Sequence, residues 1–518
     1  MSDTIVKNLN FGTDAREKVF EGIHKLTKAV SSTLGASGKC VLLEDEFGKP
    51  VITKDGVTVA DSVTLLDPVE NMGARLLKEA ARKTVQEAGD GTTTATILAY
   101  AILKEAEKVG NSVDFRVLKE GINSGVQKAI AYLQENSTPV KGSMMDQIAT
   151  ISTNNEPELG KIIGDAFRSV GDSGVVMMEQ SDTDITEVEV VDGIQYEKGL
   201  MNLHFVTNKA KKSAELENAS VLLIESEVEN IRQIQGVLEY VIKNKKPLLI
   251  IADVDQSVAQ ALSMNKVKGN IKVNIINAPN FGINKREILD DIALLTGATV
   301  INEELGDDMD LIQPEHLGLC IKSITTEKET IIQVDDPTEE VLKLIEKIKK
   351  DLKKKQSPGN IIRLEKRLAR LSAKIAIVKV GANSDIELKE KSDRVEDAIC
   401  ATKAAVKEGI VPGGGIALLN AAMNIEDKMV GEKVLSRAIL SPFRTILDNA
   451  GIQPKVPGNR GKGINVISGK EVDMIKEGII DPLLVTKSAL KNAASVATTI
   501  LSTDCVINNV RMNESNRQ

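Results

Sequence analysis

The sequence predicts a multidomain protein of mixed α and α/β class, with an α/β domain inserted into a helical one. Three observations carry this. The chain has 518 residues, and at roughly 100–200 residues per domain it has room for about three domains. Both ends read as successive Ala-rich helices, whereas the middle alternates short β-branched runs with helical stretches. Aromatic residues are only 2% of the chain, with no Trp, 4 Tyr and 8 Phe, so the cores must be aliphatic.

The elements follow in order. Asp14 to Ser31 carries Val19, Phe20, Ile23, Leu26 and Val30 at helical spacing. Cys40 to Asp45 and Val51 to Gly56, on either side of Phe47 to Pro50, read as a hairpin. Asn71 to Ala88 and Thr92 to Val109 are helices separated by Gly89-Asp90-Gly91, with Thr92, Thr93 and Thr94 expected to cap the second. From about Ser181 to Ala373 strands are expected near Val188–Val191, Ser220–Ile224, Pro247–Ala252, Ile271–Ile276, Thr299–Ile301 and Thr330–Val334. They alternate with helices at Asn230–Asn244, Gln256–Val267 and Lys285–Leu295, which implies a partly parallel sheet. Thr338 to Lys355 and Ile362 to Leu371 read as amphipathic helices with solvated charged faces. After Gly381 the helices are Ser392–Glu408, Ile416–Met423, Glu432–Gly451 and Thr486–Thr499, and Val456 to Ser468 is the most loop-like stretch. The shared texture of the two ends implies that they pack together around the inserted middle.

Composition excludes several classes. Few aromatics argue against base-stacking modules. A net charge of -8 argues against a general nucleic-acid or anionic-membrane binder. Cys40, Cys320, Cys400 and Cys505 are scattered, with no CxxC, as are His24, His204 and His316. Reduced thiols in a cytosol-like compartment are expected, and no zinc site. The segment Met1 to Asn10 has no apolar core of the signal-peptide kind, and the apolar runs are too short to span a bilayer.

The chemistry-bearing motifs are glycine-rich turns and isolated acids. In Gly89-Asp90-Gly91-Thr92-Thr93-Thr94, two glycines admit close approach of an anion and the helix start offers N–H groups and a positive dipole end. Asp90 stands where a carboxylate can hold Mg²⁺ against phosphates; the bland alternative is a helix after a Gly turn. Thr33 to Lys39 is Gly-rich but is not a P-loop, and the chain has none. Thr53-Lys54-Asp55-Gly56 reads as a charged turn and Gly413-Gly414-Gly415 as a close-approach turn before a helix. Arg394 to Ala398 reads as helical surface charge, and Gly478 to Pro482 as an Asp cap before Pro.

Taken together and in order, these motifs resemble the group I (GroEL-type) chaperonins, from about Phe11 to Cys505. The likeness is carried by Thr53–Val57, Glu70–Ala74, Ala88–Thr96, Ala278-Pro-Asn-Phe-Gly282, Asp291–Gly297 and Arg394–Ala398. The resemblance implies three nested domains: equatorial ATP-binding, 1–136 and 410–518; intermediate hinge, 137–191 and 375–409; apical substrate-binding, 192–374. It implies an ATP site of Thr33, Leu34, Gly35, Lys54, Asp55, Gly56, Asp90, Gly91, Thr92, Thr93, Thr94, Ile151, Gly414, Ile464, Asn465, Val466 and Asp481, with Asp90 on Mg²⁺ and K⁺ as a further cation. Asp397 would align or deprotonate the attacking water, with Asp55 assisting. Expected partners are further copies of the chain in a ring of seven, unfolded polypeptides, and a GroES-type co-chaperonin, in the cytoplasm.

The apical positions that would bind clients read Leu200, His204, Phe205, Ile234, Gln235, Leu238, Ala259, Leu262, Ser263 and Met264. His204, Gln235 and Ser263 are polar where the family usually is apolar, so a narrower or weaker client range is expected, anchored on Phe205. Further departures are Lys407, Gln453 and the tail Arg511 to Gln518, which mark a divergent member. Competing functions are a non-catalytic ring-forming holdase or scaffold, and a metabolic kinase using the same phosphate loop.

Overall fold

The computed structural model describes residues 7–44, 48–110, 113–153, 156–171, 174–181, 183–196, 198–209, 212–279, 283–335, 338–352, 358–372 and 374–509. The tail Arg511 to Gln518, the tip Phe47 and residues 280–282 of the Ala-Pro-Asn-Phe-Gly stretch lie outside them. The chain divides into two compact units. One is Met1–Asp165, Gln180–Ile185 and Val380–Gln518; the other is Ala166–Glu179 and Thr186–Lys379. Of the segments expected to form a hinge, helices Met144–Ser152 and Asp385–Glu408 fall in the first unit and strand Glu187–Tyr196 in the second.

The first unit is a helical assembly. Gly12–Ser31, Pro68–Ala88, Thr92–Val109, Phe115–Glu135 and Leu483–Leu501 bury Ile23, Leu26, Leu77, Leu98, Ile102, Ile122, Leu490 and Ala494 in one aliphatic core. Small residues set how closely these helices cross. A Cβ on Gly22 would stand 1.9 Å from the Glu70 carbonyl oxygen, and one on Gly73 2.2 Å from that of Val19, so only glycine lets the first two helices touch backbone to backbone. The ends of the chain do pack together: strand Lys7–Phe11 pairs antiparallel with Cys505–Asn509. Farther in, Glu432 is 1% exposed and accepts Lys128 Nζ and Ser124 Oγ, each at 2.7 Å, plus the backbone N–H of Lys428 at 3.0 Å. The Lys128 bond leads the causes that hold its carboxyl down at about 2.

Two expectations for this unit change. The single helix read over Glu432–Gly451 is two, Val430–Ala438 and Ser441–Asn449, because Pro442 has no N–H to continue the ladder and instead starts the second helix. The stretch read as loop, Val456 to Ser468, contains strand Lys462–Asn465, paired antiparallel with Lys470–Asp473. The hairpin read around residues 40–56 is present as Val41–Glu44 paired with Pro50–Thr53.

The second unit is the α/β part. Among the described residues its sheet has nine strands, in the order Val175–Gln180, Lys374–Val380, Glu187–Tyr196, Thr330–Gln333, Gly318–Thr325, Ala214–Ile224, Leu248–Ile251, Val273–Ile276, with Val300–Ile301 beside Ala214–Ile224. Ala214–Ile224, Leu248–Ile251 and Val273–Ile276 run parallel, as does Val300–Ile301 with the first of them. Gly318–Thr325 is antiparallel to both of its neighbours, so the sheet is partly parallel as the alternation predicts. Strand alternation splits the core in two. Leu222, Leu248 and Ile250 face helices Gln235–Lys243 and Gln256–Val267, while Leu223, Leu249 and Ile251 face helix Ile283–Thr296. The amphipathic pair Glu339–Leu352 and Pro358–Leu371 seals its own small core of Val341, Ile345, Ile348, Leu364 and Leu371.

Candidate functional site

The first unit holds a cleft of about 1060 Å³, at the upper end of the range for small-molecule sites. Its walls are the glycine turns and helix ends singled out in the sequence. Thr33, Leu34 and Gly35 follow helix Gly12–Ser31, and the Asn449 amide donates to the Ser31 and Leu34 carbonyls at 2.9 Å each, fixing that turn. The hairpin delivers Lys54 and Asp55. Strand Ile410–Pro412 pairs with Ile480–Pro482, setting Val411 opposite Asp481 and bringing Gly414 to the rim. The hairpin missed in the sequence supplies Ile464, Asn465 and Val466.

The Gly-Asp-Gly turn leaves the start of the following helix open. Gly91 caps helix Thr92–Val109 in the left-handed conformation (φ 92°), and among the described residues no side chain caps the helix start. The expectation that the threonines cap it is therefore corrected: Thr92 is buried, with its carbonyl accepting the Thr96 hydroxyl, whereas Thr93 and Thr94 line the cleft. An uncapped helix start leaves N–H groups and a positive dipole end for a ligand. Gly56 is likewise not on the wall; its Cα packs under Thr93, where a Cβ would meet Oγ1 at 2.2 Å. All the other residues expected at the ATP site, including Ile151 and Asp397, line this one cleft.

Asp55 has a structural task as well. Its two carboxylate oxygens accept the N–H groups of Val57 at 3.1 Å and Thr58 at 2.8 Å, capping helix Gly56–Ser62, and it also accepts the Thr58 hydroxyl at 2.7 Å. Around it stand acids that crowd one another. Burial, then the charge of Asp55, raise the Asp90 carboxyl above its ordinary range. Burial raises Asp397 further, with Asp90 and Asp55 adding to it. Asp481 is pushed up to about 7 by burial and by Asp90. Asp393 is pushed up to about 6, first by the partial desolvation of its carboxyl in a residue otherwise open to the cleft, with Asp55 and Glu396 adding and Lys389 opposing.

Asp393 is a residue that sequence reasoning missed. It lies four residues before Asp397 on helix Asp385–Glu408, so both carboxylates project from one face into the cleft. The signal was the spacing Asp-x-x-x-Asp, hidden because this stretch reads as ordinary surface charge. Lys161 and Lys389, also on the wall, were missed for the same reason.

The crowding has a testable consequence. A carboxyl with a raised pKa in the folded state holds a proton that the unfolded chain has lost, so its contribution to stability is complete below about pH 4 and disappears as pH rises through its folded value. In ligand-free protein without divalent cation, the melting temperature should fall between about pH 5 and pH 7.5, and Asp481→Asn should flatten that slope. Differential scanning fluorimetry at constant ionic strength measures both; an identical slope in the variant would remove Asp481 as a cause.

The expected client residues in the second unit fare differently. Phe205, Ile234, Leu238, Leu262 and Ser263 are buried, Phe205 completely, in the core between the sheet and its two helices. This corrects Phe205 from surface anchor to core residue: the short turn Leu203–Phe205 tucks its ring inward, held by Lys266 Nζ on the His204 and Val206 carbonyls. Leu200 and Ala259 are half-buried, and His204, Gln235 and Met264 are exposed. The apolar surface there is made by Met264 together with Leu203 and Val267, which are 66% and 67% exposed and were not foreseen.

Among the described residues, no three His, Cys, Asp or Glu side chains converge into a metal cluster, no helix is long and apolar enough to cross a membrane, and all four cysteines are free thiols.

Comparison with known proteins agrees with this architecture. The model of the TCP-1/cpn60 chaperonin family matches residues 26–511. Two crystal structures of chaperonin gp146 from bacteriophage EL 2 (Pseudomonas aeruginosa), both in the presence of ATP-BeFx, share the fold. Form II has a TM-score of 0.75 at 21% identity, covering 98% of this chain and 100% of that one. Form I has a TM-score of 0.66 at 22% identity, covering 97% and 99%.

Proposed function

Since the chain belongs to the TCP-1/cpn60 chaperonin family, we propose that it is the subunit of an ATP-hydrolysing folding ring whose nucleotide site is the cleft of the helical unit. The observation that carries this reading is the convergence of an uncapped helix start, Lys54, Asp55, Asp90, Asp397 and Asp481 on one cavity large enough for a nucleoside triphosphate. The phage relative crystallised with ATP-BeFx supports the same reading.

The residues fit Mg·ATP as substrate. With no three-ligand protein cluster among the described residues, a cation here takes one or two carboxylates and fills its shell from phosphate and water, as Mg²⁺ usually does. Asp90, desolvated beside the charge of Asp55, is the acid that such a cation would relieve. When bound, Mg²⁺ neutralises charge developing on the phosphoryl oxygens. The uncapped N–H groups at Thr92 to Thr94 and the Thr93 and Thr94 hydroxyls hold phosphate oxygens. Gly35, Gly414, Ile464, Asn465 and Val466 hold the nucleoside, and Asp481 accepts from its hydroxyls. Asp397 orients the attacking water and takes its proton, and Asp55 fixes the loop around it. K⁺ is a further cation for this carboxylate-rich wall.

Assembly into rings is supported by two apolar edges of the helical unit. Leu42 and Ile52 face each other across the hairpin and are 69% and 65% exposed. Leu9, Phe11 and Ile507 are exposed on the terminal strand pair. Exposed strand edges of this kind invite pairing with another chain. We assign a ring of seven, cytoplasmic placement, the three-domain division and a GroES-type co-chaperonin by resemblance. Clients are taken on Leu203, Met264 and Val267, a small surface that suits a narrow client range.

An aggregation-suppression assay with a denatured client tests this, run with and without Mg·ATP. Capture without nucleotide and release of active client with it are expected. Holding that ATP does not reverse would favour the holdase reading and overturn this one.

A further inference from the structure

Resting on the reading of the cleft as an ATP-hydrolysing site, we propose that Asp393 acts through Asp397 as a proton relay. It receives, by way of one water, the proton that Asp397 takes from the attacking water, and passes it to solvent. Asp393 and Asp397 stand four residues apart on helix Asp385–Glu408, and both line the cleft. Residues at that spacing have their Cβ atoms about 5–6 Å apart, a gap between carboxylates that one bridging water closes. Asp397 is half-buried and Asp393 is exposed, so the pair runs from the interior of the cleft towards solvent.

Hydrolysis leaves Asp397 with a proton to lose. As the water oxygen bonds to the γ-phosphorus, the bond from that phosphorus to the bridging oxygen of ADP breaks, and the water's proton goes to the Asp397 carboxylate. Burial, with Asp90 and Asp55 adding to it, raises the Asp397 carboxyl well above its ordinary range. It therefore holds that proton firmly and must be relieved of it before the next turnover. In the relay, the bridging water gives one proton to Asp393 as it takes the proton of Asp397, so no charge is left on the water.

The neighbouring acids are committed elsewhere. Asp55 accepts the N–H groups of Val57 and Thr58. Glu390 accepts an Arg394 guanidinium nitrogen at 2.7 Å, and Glu396 does not line the cleft. Asp393 makes no hydrogen bond or ion pair among the described residues. From other elements, Lys54 faces the cleft from the hairpin, Asp90 from the Gly-Asp-Gly turn, and Asp146 and Lys161 from helices Met144–Ser152 and Pro157–Val170. Glu477 and Asp481 line it beyond the second hairpin. Desolvation pushes the Asp393 carboxyl up to about 6, with Lys389 opposing and Asp55, Glu396 and Glu390 adding. At about pH 7 it is ionised and ready to accept a proton, close to the balance point that suits proton transfer.

The test follows Mg·ATP turnover by the full-length protein from about pH 5.5 to about pH 9 at constant ionic strength, in wild type, Asp393→Asn and Asp393→Glu. Hydroxide takes the Asp397 proton directly at high pH and is scarce at low pH, so the relay matters on the acid side. Asp393→Asn should match wild type near about pH 9 and turn over at least about fivefold more slowly near about pH 6.5, a smaller loss than the roughly 10²–10⁴-fold of a direct base. The KM for ATP should not change. Imidazole, a diffusible base, should restore the missing rate, and Asp393→Glu should behave as wild type. A loosened cleft would not be repaired by imidazole, which separates proton transfer from a structural role. Identical pH profiles in wild type and Asp393→Asn overturn the relay alone, as does a loss that is equal at every pH and not restored by imidazole. No turnover in the wild type overturns the ATPase reading, and the relay with it.

Discussion

Replacing Asp397 by alanine should reduce ATP turnover by about 10²–10⁴-fold, the usual contribution of a positioned general base, while nucleotide binding survives. The two effects separate because Asp397 reaches the cleft from helix Asp385–Glu408, whereas the helix start at Thr92, Lys54 and Asp90 come from other elements. Electrostatics sharpen the expectation. Asp397 is one of several crowded, desolvated acids and it interacts unfavourably with Asp90. Deleting it relieves Asp90, so Mg·nucleotide should bind as tightly as in the wild type or more tightly. Single-turnover hydrolysis and a fluorescent-nucleotide titration measure the two halves. Turnover within about twofold of wild type would remove Asp397 from the chemistry, since a base is worth far more than that. Asp393→Asn serves as the comparison: it shares the helix face, and a fall in rate confined to the acid limb would mark it as a proton acceptor on the way to solvent.

The largest expected loss of stability lies in the other unit. Asp291 is fully buried on helix Ile283–Thr296 and receives Arg367 Nε at 2.9 Å and an Arg370 guanidinium nitrogen at 3.1 Å. Arg367 also reaches Glu287 at 3.1 Å. This cluster ties helix Pro358–Leu371 to the α/β core. Burial outweighs both arginines and raises the Asp291 carboxyl above its ordinary range, so the pairing stabilises less than its short distances suggest. Breaking it is a different matter. Asp291→Ala leaves two guanidinium groups without their shared partner and should cost about 3–5 kcal/mol. Thermal unfolding should show the loss, and hydrogen exchange should rise first in Pro358–Leu371. An unchanged melting temperature would show that water replaces the carboxylate without penalty.

How far the sequence could be read depended on the distance over which each feature is decided. Helices such as Thr92–Val109, and the parallel strands around Ser220–Ile224 and Leu248–Ile251, follow from local periodicity and were expected. The strand pair Lys7–Phe11 and Cys505–Asn509 was not, because neither polar segment is strand-like until the other, at the opposite end of the chain, supplies its hydrogen bonds. The residues expected at a nucleotide site came from motif and resemblance, and all but Gly56 and Thr92 meet on one cleft. Those two lie just behind it, where a glycine or a threonine supports the wall rather than forming it. Phe205 failed for a physical reason. Hydrophobicity says that a ring prefers burial but not whether a loop can turn it inward, and here Lys266, at the far end of a neighbouring helix, decides that.

The pairing of the chain's two ends also sets the order in which this protein is made. The α/β unit is almost contiguous, from residue 166 to 379, and can complete its core as soon as those residues have emerged. The helical unit needs the first strand and the last, so its opening helices must wait through translation of everything between. At roughly 5–20 residues per second that wait is on the order of tens of seconds. During it the apolar faces of Pro68–Ala88 and Thr92–Val109 stand without Leu483–Leu501, which later covers them. A protein of this family is therefore, on the ribosome, a slow-maturing client in its own right.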